Sequence, residues 1–211
     1  MKNIKLLLLS TVLLCFTGCD DKKQEKSASE DKNISIQDHN ESNDSLDTEA
    51  LKKQAALRKK HSYMLRDLND DNRSISIENK HITIDRVKEK LIIVNVFATW
   101  CPPCKGEIPY LVDLKKKYSK DLFIAGILAN DTADKEHLKT FISTYGINYY
   151  ISNATENDAL VQHIAKRLAL DENIPIPLTI LFKNGAYYSH YEGAVPVEML
   201  EHDIKNAMSK E

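Results

Sequence analysis

The stretch "LIIVNVFATWCPPC", residues 91–104, constrains this chain's fold more than any other. It opens on a nearly unbroken run of β-branched and large apolar residues, which reads as a strand buried on both faces. Such a strand needs a covering layer above and below, so the pattern points to an α/β sheet with helices on both sides. "DLFIAGILA" (121–129) is a second run of the same kind. The cysteines that close the first stretch sit two residues apart. That spacing suits a redox pair or half of a metal site.

The elements around these runs follow from periodicity and punctuation. "RSISIENKHITID" alternates Ile75, Ile77, Ile82 and Ile84 about a polar turn, a hairpin signature. Residues from Pro102 to Tyr118 read as a helix, interrupted or bent near Pro109. "DKEHLKTFISTYG" reads as a helix ended by Gly146, "INYYIS" as a short strand, and "ENDALVQHIAKRLAL" as an amphipathic helix. "PLTILF", "KNG" and "AYYSHYEG" give strand, tight turn and strand. "PVEMLEHDIKNAMS" closes the chain as a helix, with Pro196 suited to its first turn. The fold class is therefore α/β: a central mixed sheet flanked by helices, with an N-terminal β-hairpin.

The N-terminus belongs to a different category. Lys2 and Lys5, an apolar stretch from Leu6 to Phe16, and the small residues Thr17 and Gly18 form a secretory signal over residues 1–18. An uncleaved membrane anchor is the alternative. "FTGC" resembles a bacterial lipobox, with Phe16 where leucine is usual, and the resemblance implies acylation of Cys19. Residues 20–49 are polar and charged, too poor in apolar side chains to offset their ordering entropy. The stretch "EALKKQAALRKKHSYML" has a ragged helical face. Residues 19–71 thus read as a partly helical tether, and 72–211 as the folded domain.

Cysteine arithmetic then narrows the chemistry. Of four cysteines, Cys15 lies in the signal and Cys19 would carry lipid, so the mature chain keeps Cys101 and Cys104. A disulfide closing so short a loop adds little stability. A zinc site needs about four ligands, and no second Cys-x-x-Cys or close Cys/His pair follows. Redox chemistry is what remains. The net charge of −2 gives no electrostatic reason to expect nucleic acid. No metal or cofactor is expected. His137, His163 and His202 read as surface residues on helices. Tyr149, Tyr150, Tyr187, Tyr188 and Tyr191 read as strand residues of core and rim.

"VNVFATWCPPCKGEIP", "IPIPLTILFKNG" and "YEGAVPVEML", in that order, resemble the TlpA/ResA-like family of membrane-tethered thioredoxin-fold thiol–disulfide oxidoreductases. The resemblance covers residues 72–211. It implies a thioredoxin fold, with Cys101 at a helix N-terminus, where free N–H groups and the helix dipole stabilise a thiolate nucleophile. Cys104, one turn on, would resolve the mixed disulfide. "CPPCKGEIP" matches the family's "CxxCxxExP", which makes Glu107 the proton relay for Cys104; an exposed helical glutamate is the plain alternative. Pro177 matches the family's cis-proline, with Pro175 competing, and Ile176 would offer backbone hydrogen bonds to a bound peptide. Trp100 would shield the nucleophile, although packing accounts for it nearly as well. Asn95 stands where thioredoxin has a titratable aspartate, and an asparagine cannot exchange protons. It reads as a hydrogen-bonded core amide.

The expected activity is reduction of protein disulfides by a lipid-anchored enzyme in a bacterial cell envelope, facing the periplasm. The family implies a membrane thiol-electron transporter as donor and apocytochrome c among the substrates. Asp20 after Cys19 suggests the inner membrane. Two rivals stay open: a disulfide-forming oxidase on the same fold, and a redox-inert binding or chaperone module. Dedicated oxidases commonly carry a helical insertion for which this spacing leaves little room. The Pro-Pro between the cysteines affects the redox potential in a direction the sequence does not give.

Overall fold

In the computed structural model, which describes residues 61–171 and 173–209, one mixed sheet organises the chain. Its strands are β1 (His61–Arg66), β2 (Asn72–Glu78), β3 (His81–Ile84), β4 (Leu91–Phe97), β5 (Leu122–Leu128), β6 (Tyr150–Ser152), β7 (Leu178–Lys183) and β8 (Ala186–Glu192). Their spatial order is β1-β2-β3-β8-β7-β4-β5-β6. The helices are α1 (Pro102–Lys117), α2 (Lys135–Thr144), α3 (Asn157–Leu168) and α4 (Val197–Ser209). The signal sequence, Cys19 and the tether up to residue 60 lie outside the described residues.

The apolar runs form the centre, as their composition requires. β4 pairs in parallel with β5 and antiparallel with β7, and every residue of β4 and β5 is buried. On one face Ile92, Val94 and Val96 join Leu160, Val161 and Ile164 of α3 and the isoleucines of the N-terminal hairpin. On the other, Leu91 and Ile93 pack with Leu111 and Leu114 of α1 and Leu200, Ile204 and Ala207 of α4. Burying one such aliphatic side chain contributes about 1.5–3 kcal/mol. The central pair therefore holds α1 firmly over the sheet, with its N-terminus at the carboxyl end of β4.

The turns behave as their residues dictate. Asn184 and Gly185 both take positive φ (49° and 80°) between the opposed Lys183 and Ala186, a two-residue turn matched to strand twist. A Cβ on Gly185 would come 2.5 Å from the carbonyl oxygen of Ile82, so space also demands glycine there. That approach lets Ile82 N donate to Gly185 O at 2.8 Å, attaching the hairpin to β8. After α2, Gly146 (φ 60°) ends the helix: its N–H reaches Ser143 O, and Ile147 N reaches Ile142 O. α1 runs through Pro109 without interruption, contrary to the break allowed for there.

Two expectations need correction. The helical character assigned up to Leu65 gives way at His61–Arg66 to a strand paired antiparallel with β2, so the sheet reaches back beyond residue 72. Leu65 is buried and Tyr63 half-buried, while Ser62 and Met64 point outward, a period of two that a six-residue segment shows only once β2 is beside it. β1 also meets the opposite end of the sheet. Asn153 N donates to Arg66 O at 2.8 Å, Arg66 N to Ser152 Oγ at 3.2 Å, and Met64 N to Glu156 Oε2 at 2.7 Å.

The second concerns His163, which is half-buried between α3 and β1, whereas His137 and His202 are exposed. Arg167 Nε donates to its Nε2 at 2.8 Å, so the neutral ring donates from Nδ1 to Tyr63 Oη, also at 2.8 Å. Burial is the main reason its pKa falls to about 4, with Arg167 adding to the effect.

Candidate active site

Cys101 occupies the N-cap of α1 in an extended conformation and is joined to Cys104 in a disulfide. Pro102 and Pro103 follow at the first two helical positions, where proline is well tolerated but has no N–H. Cys104 N is therefore the first helical donor, and it points at Cys101 Sγ from 3.2 Å. A thiolate on Cys101 would keep that hydrogen bond and lie in the positive field of the helix end. Both cysteines are buried, Cys104 at 1% exposure, within a cluster that includes Phe97, Ile108, Val112 and Phe141. Apolar surroundings of this kind hold a thiol protonated.

Beneath the pair lies a buried polar group. Glu107, on the next turn of α1, is 4% exposed, which excludes the ordinary surface glutamate. Asn95 Nδ2 donates to Glu107 Oε2 at 3.0 Å and to Thr179 Oγ1 at 2.8 Å. The Thr179 hydroxyl in turn lies 3.3 Å from each carboxylate oxygen, as their donor. Burial raises the Glu107 pKa to about 7, against the opposing pull of the hydrogen bonds from Thr179 and Asn95. Asn95 is thus the core amide its position suggested, and its partner is Glu107.

Thr179 is the member that sequence reasoning missed. It faces Asn95 directly in the β4–β7 register. Each is a polar interruption of an apolar run, "LIIVNVF" and "LTILF", and that shared interruption was the available signal.

The peptide bond between Ile176 and Pro177 is cis, while that preceding Pro175 is trans. Ile176 O lies 3.8 Å from Cys101 Sγ, so the loop leading into β7 borders the disulfide. Gly193 N binds Pro177 O at 2.8 Å from the end of β8. Trp100 is 58% exposed beside the buried cysteines, with Nε1 donating to Asn130 O at 3.0 Å. Asp131, unnoticed in the sequence, accepts from both N and Oγ1 of Thr99 and so fixes the backbone leading into Cys101. Among the described residues, no three His, Cys, Asp or Glu side chains converge as a metal site would require.

A sheet of this order with a Cys-x-x-Cys disulfide heading the helix after its central strand is the thioredoxin fold, and it defines the class of thioredoxin-like thiol–disulfide oxidoreductases. The Redoxin family profile matches residues 69–187, more than half of the chain, and the protein belongs to that family. It is similar to the thiol-disulfide oxidoreductase ResA of Bacillus subtilis (strain 168), 25% identical over 127 residues, 60% of this chain and 66% of that one. The ResA of Bacillus thuringiensis subsp. konkukian (strain 97-27) is 28% identical over 131 residues, 61% of this chain and 70% of the relative. Among solved structures, a thiol:disulfide interchange protein of Chlorobium tepidum TLS superposes with a TM-score of 0.53. It covers 70% of this chain and 94% of its own, at 24% identity, a likeness of fold.

Proposed function

We propose that this protein reduces disulfides in other proteins through Cys101 and Cys104, with Glu107 as the proton acceptor for Cys104. The observation that carries this reading is a buried carboxylate titrating near neutrality on the turn below the resolving cysteine. In the reduced protein, the Cys101 thiolate attacks one sulfur of a substrate disulfide. That S–S bond breaks, one substrate thiolate leaves, and a mixed disulfide forms. Cys104 passes its proton to Glu107 and attacks Cys101 Sγ, expelling the second substrate thiolate and closing the Cys101–Cys104 disulfide. Two electrons pass to the substrate, and its two thiolates take up protons from Glu107 and solvent.

The Ile176–Pro177 loop borders the sulfur that attacks, and exposed Trp100 precedes it in the chain, so the two would seat the substrate backbone beside Cys101. In this reading the domain works outside the cytoplasm of a bacterium, held at the membrane by lipid on Cys19. A membrane thiol-electron transporter supplies reducing equivalents, and apocytochrome c is among its substrates. Support comes from the signal and lipobox pattern and from the resemblance to the TlpA/ResA-like family.

Direction is tested by equilibrating the pair with glutathione. Related centres run from about −270 mV to about −120 mV, roughly 7 kcal/mol for two electrons. A value near the reducing end is the expected result. One near the oxidising end would make the protein a disulfide-forming oxidase.

The tether should set location and leave chemistry alone, because every site residue lies beyond residue 94. A chain beginning at Leu51 is expected to stay soluble and to exchange thiols at the full-length rate. Loss of exchange in that folded shorter chain would show that the first fifty residues take part in the reaction.

A further inference from the structure

One buried titratable group near the site has no part in the mechanism above. Tyr149 lies just before β6, not within a strand, where the chain is drawn under α1 by Asn148 Nδ2 donating to Val112 O at 3.2 Å. Its ring sits over Gly126, with Cε2 3.4 Å from where a Cβ would be. Gly126 is the β5 partner of Asn95 in the register, so the ring shares a layer with the amide that binds Glu107. A side chain at 126 would also collide with Ile151; the glycine leaves the room that the aromatic ring uses.

The Tyr149 hydroxyl is buried and has no hydrogen-bond partner among the described residues. Keeping a polar atom there is costly, and phenylalanine would fill the same space without it. The oxygen lies within the field of Glu107: burial, and after it the Glu107 charge, push the phenol's pKa well up. Glu107 has capacity to spare. An ionised carboxylate offers about four acceptor sites, whereas Asn95 and Thr179 bring one hydrogen each, that of Thr179 divided between the two oxygens.

We propose that Tyr149 is a positioning residue of the Glu107 proton site, its hydroxyl being the donor that the carboxylate gains when it ionises. This rests on reading Glu107 as the acceptor of the Cys104 proton. Among the described residues, the titratable groups facing Glu107 are Cys104 of α1 once its disulfide is reduced and Tyr149 from the segment before β6; β4 and β7 contribute Asn95 and Thr179, which do not titrate. With the hydroxyl engaged, the carboxylate is populated at a lower pH than burial alone would allow.

Tyr149→Phe tests this directly, because it removes one oxygen and keeps the ring. The Glu107 carboxyl carbon, followed by NMR through a pH titration, is expected to titrate about one pH unit higher in the variant, a roughly tenfold smaller ratio of ionised to protonated carboxyl at a given pH. The pH profile of mixed-disulfide resolution should move upward by the same amount. In a Glu107→Gln background, adding Tyr149→Phe should change the resolution rate no further.

Identical Glu107 titrations in the two proteins, with the variant merely gaining thermal stability from the lost orphan hydroxyl, would overturn the proposal. A second loss of rate on top of Glu107→Gln would also overturn it. A titration that shifts as expected while resolution stays unchanged supports the role of Tyr149 and refutes the proton-relay reading of Glu107.

Discussion

In a Cys101→Ser protein, reduction of insulin disulfides is expected to fall to the uncatalysed background. A serine hydroxyl is not ionised near neutral pH and does not attack disulfide sulfur, so the first bond exchange is lost outright. Cys104 offers no substitute, since it lies within α1, whereas Cys101 caps the helix terminus beside the Ile176–Pro177 loop. The substitution is also structurally mild. Serine is among the preferred N-cap residues, and its oxygen can accept from Cys104 N as the sulfur does. A circular dichroism spectrum like that of the reduced wild type would show that chemistry, not folding, was removed. Cys104→Ser gives the complementary result: attack proceeds, resolution does not, and a covalent complex with substrate accumulates. Accumulation of a covalent substrate complex in Cys101→Ser, in place of Cys104→Ser, would mean that Cys104 is the attacking sulfur and that the roles assigned to the pair are reversed.

Glu107→Gln should produce the second largest effect, and a distinctive one. It preserves shape and can still accept from Thr179, but it cannot take a proton from Cys104. Alkylation of Cys101 should be almost unchanged while resolution slows by at most about 10²–10⁴-fold, the range for loss of one general base. Because Glu107 titrates at about 7, the wild-type resolution rate should rise towards pH 7 and level above it, and the variant should lack that rise. Wild-type turnover by the variant between pH 6 and 8 would route the proton through water.

The same group links stability to pH. The folded state holds a proton on Glu107 up to about 7, whereas an unfolded glutamate releases it near 4.5. Between those values the folded state binds more protons, so stability is full below 4.5, declines as pH rises through 7, and is flat beyond. The shift corresponds to about 3 kcal/mol. Glu107→Gln should lack this decline, and urea melts at pH 5 and pH 8 would show it.

How much of this was legible in the sequence differs from residue to residue. β4, β5 and both hairpins were readable because β-branched runs and the Asn184–Gly185 turn act locally. Glu107 was readable because it stands three residues from Cys104 on one helix. Thr179 was not, since threonine is an ordinary strand residue and its tie to Asn95 depends on a register across 84 positions. Tyr149 looked like one tyrosine of several until Gly126 placed it under α1. The burial of His163 escaped for the same reason, because its partner Tyr63 lies 100 residues away, and β1 escaped because its alternation shows only beside β2.

The meeting of β1 with β6 has a consequence for what can pair with the sheet. Exposed strand edges invite extended chains to zip onto them. Here the outward amides of Met64 and Arg66 are already taken by Glu156 and Ser152, and the Arg66 carbonyl by Asn153. An extended chain therefore finds the Met64 and Arg66 amides along this seam already occupied.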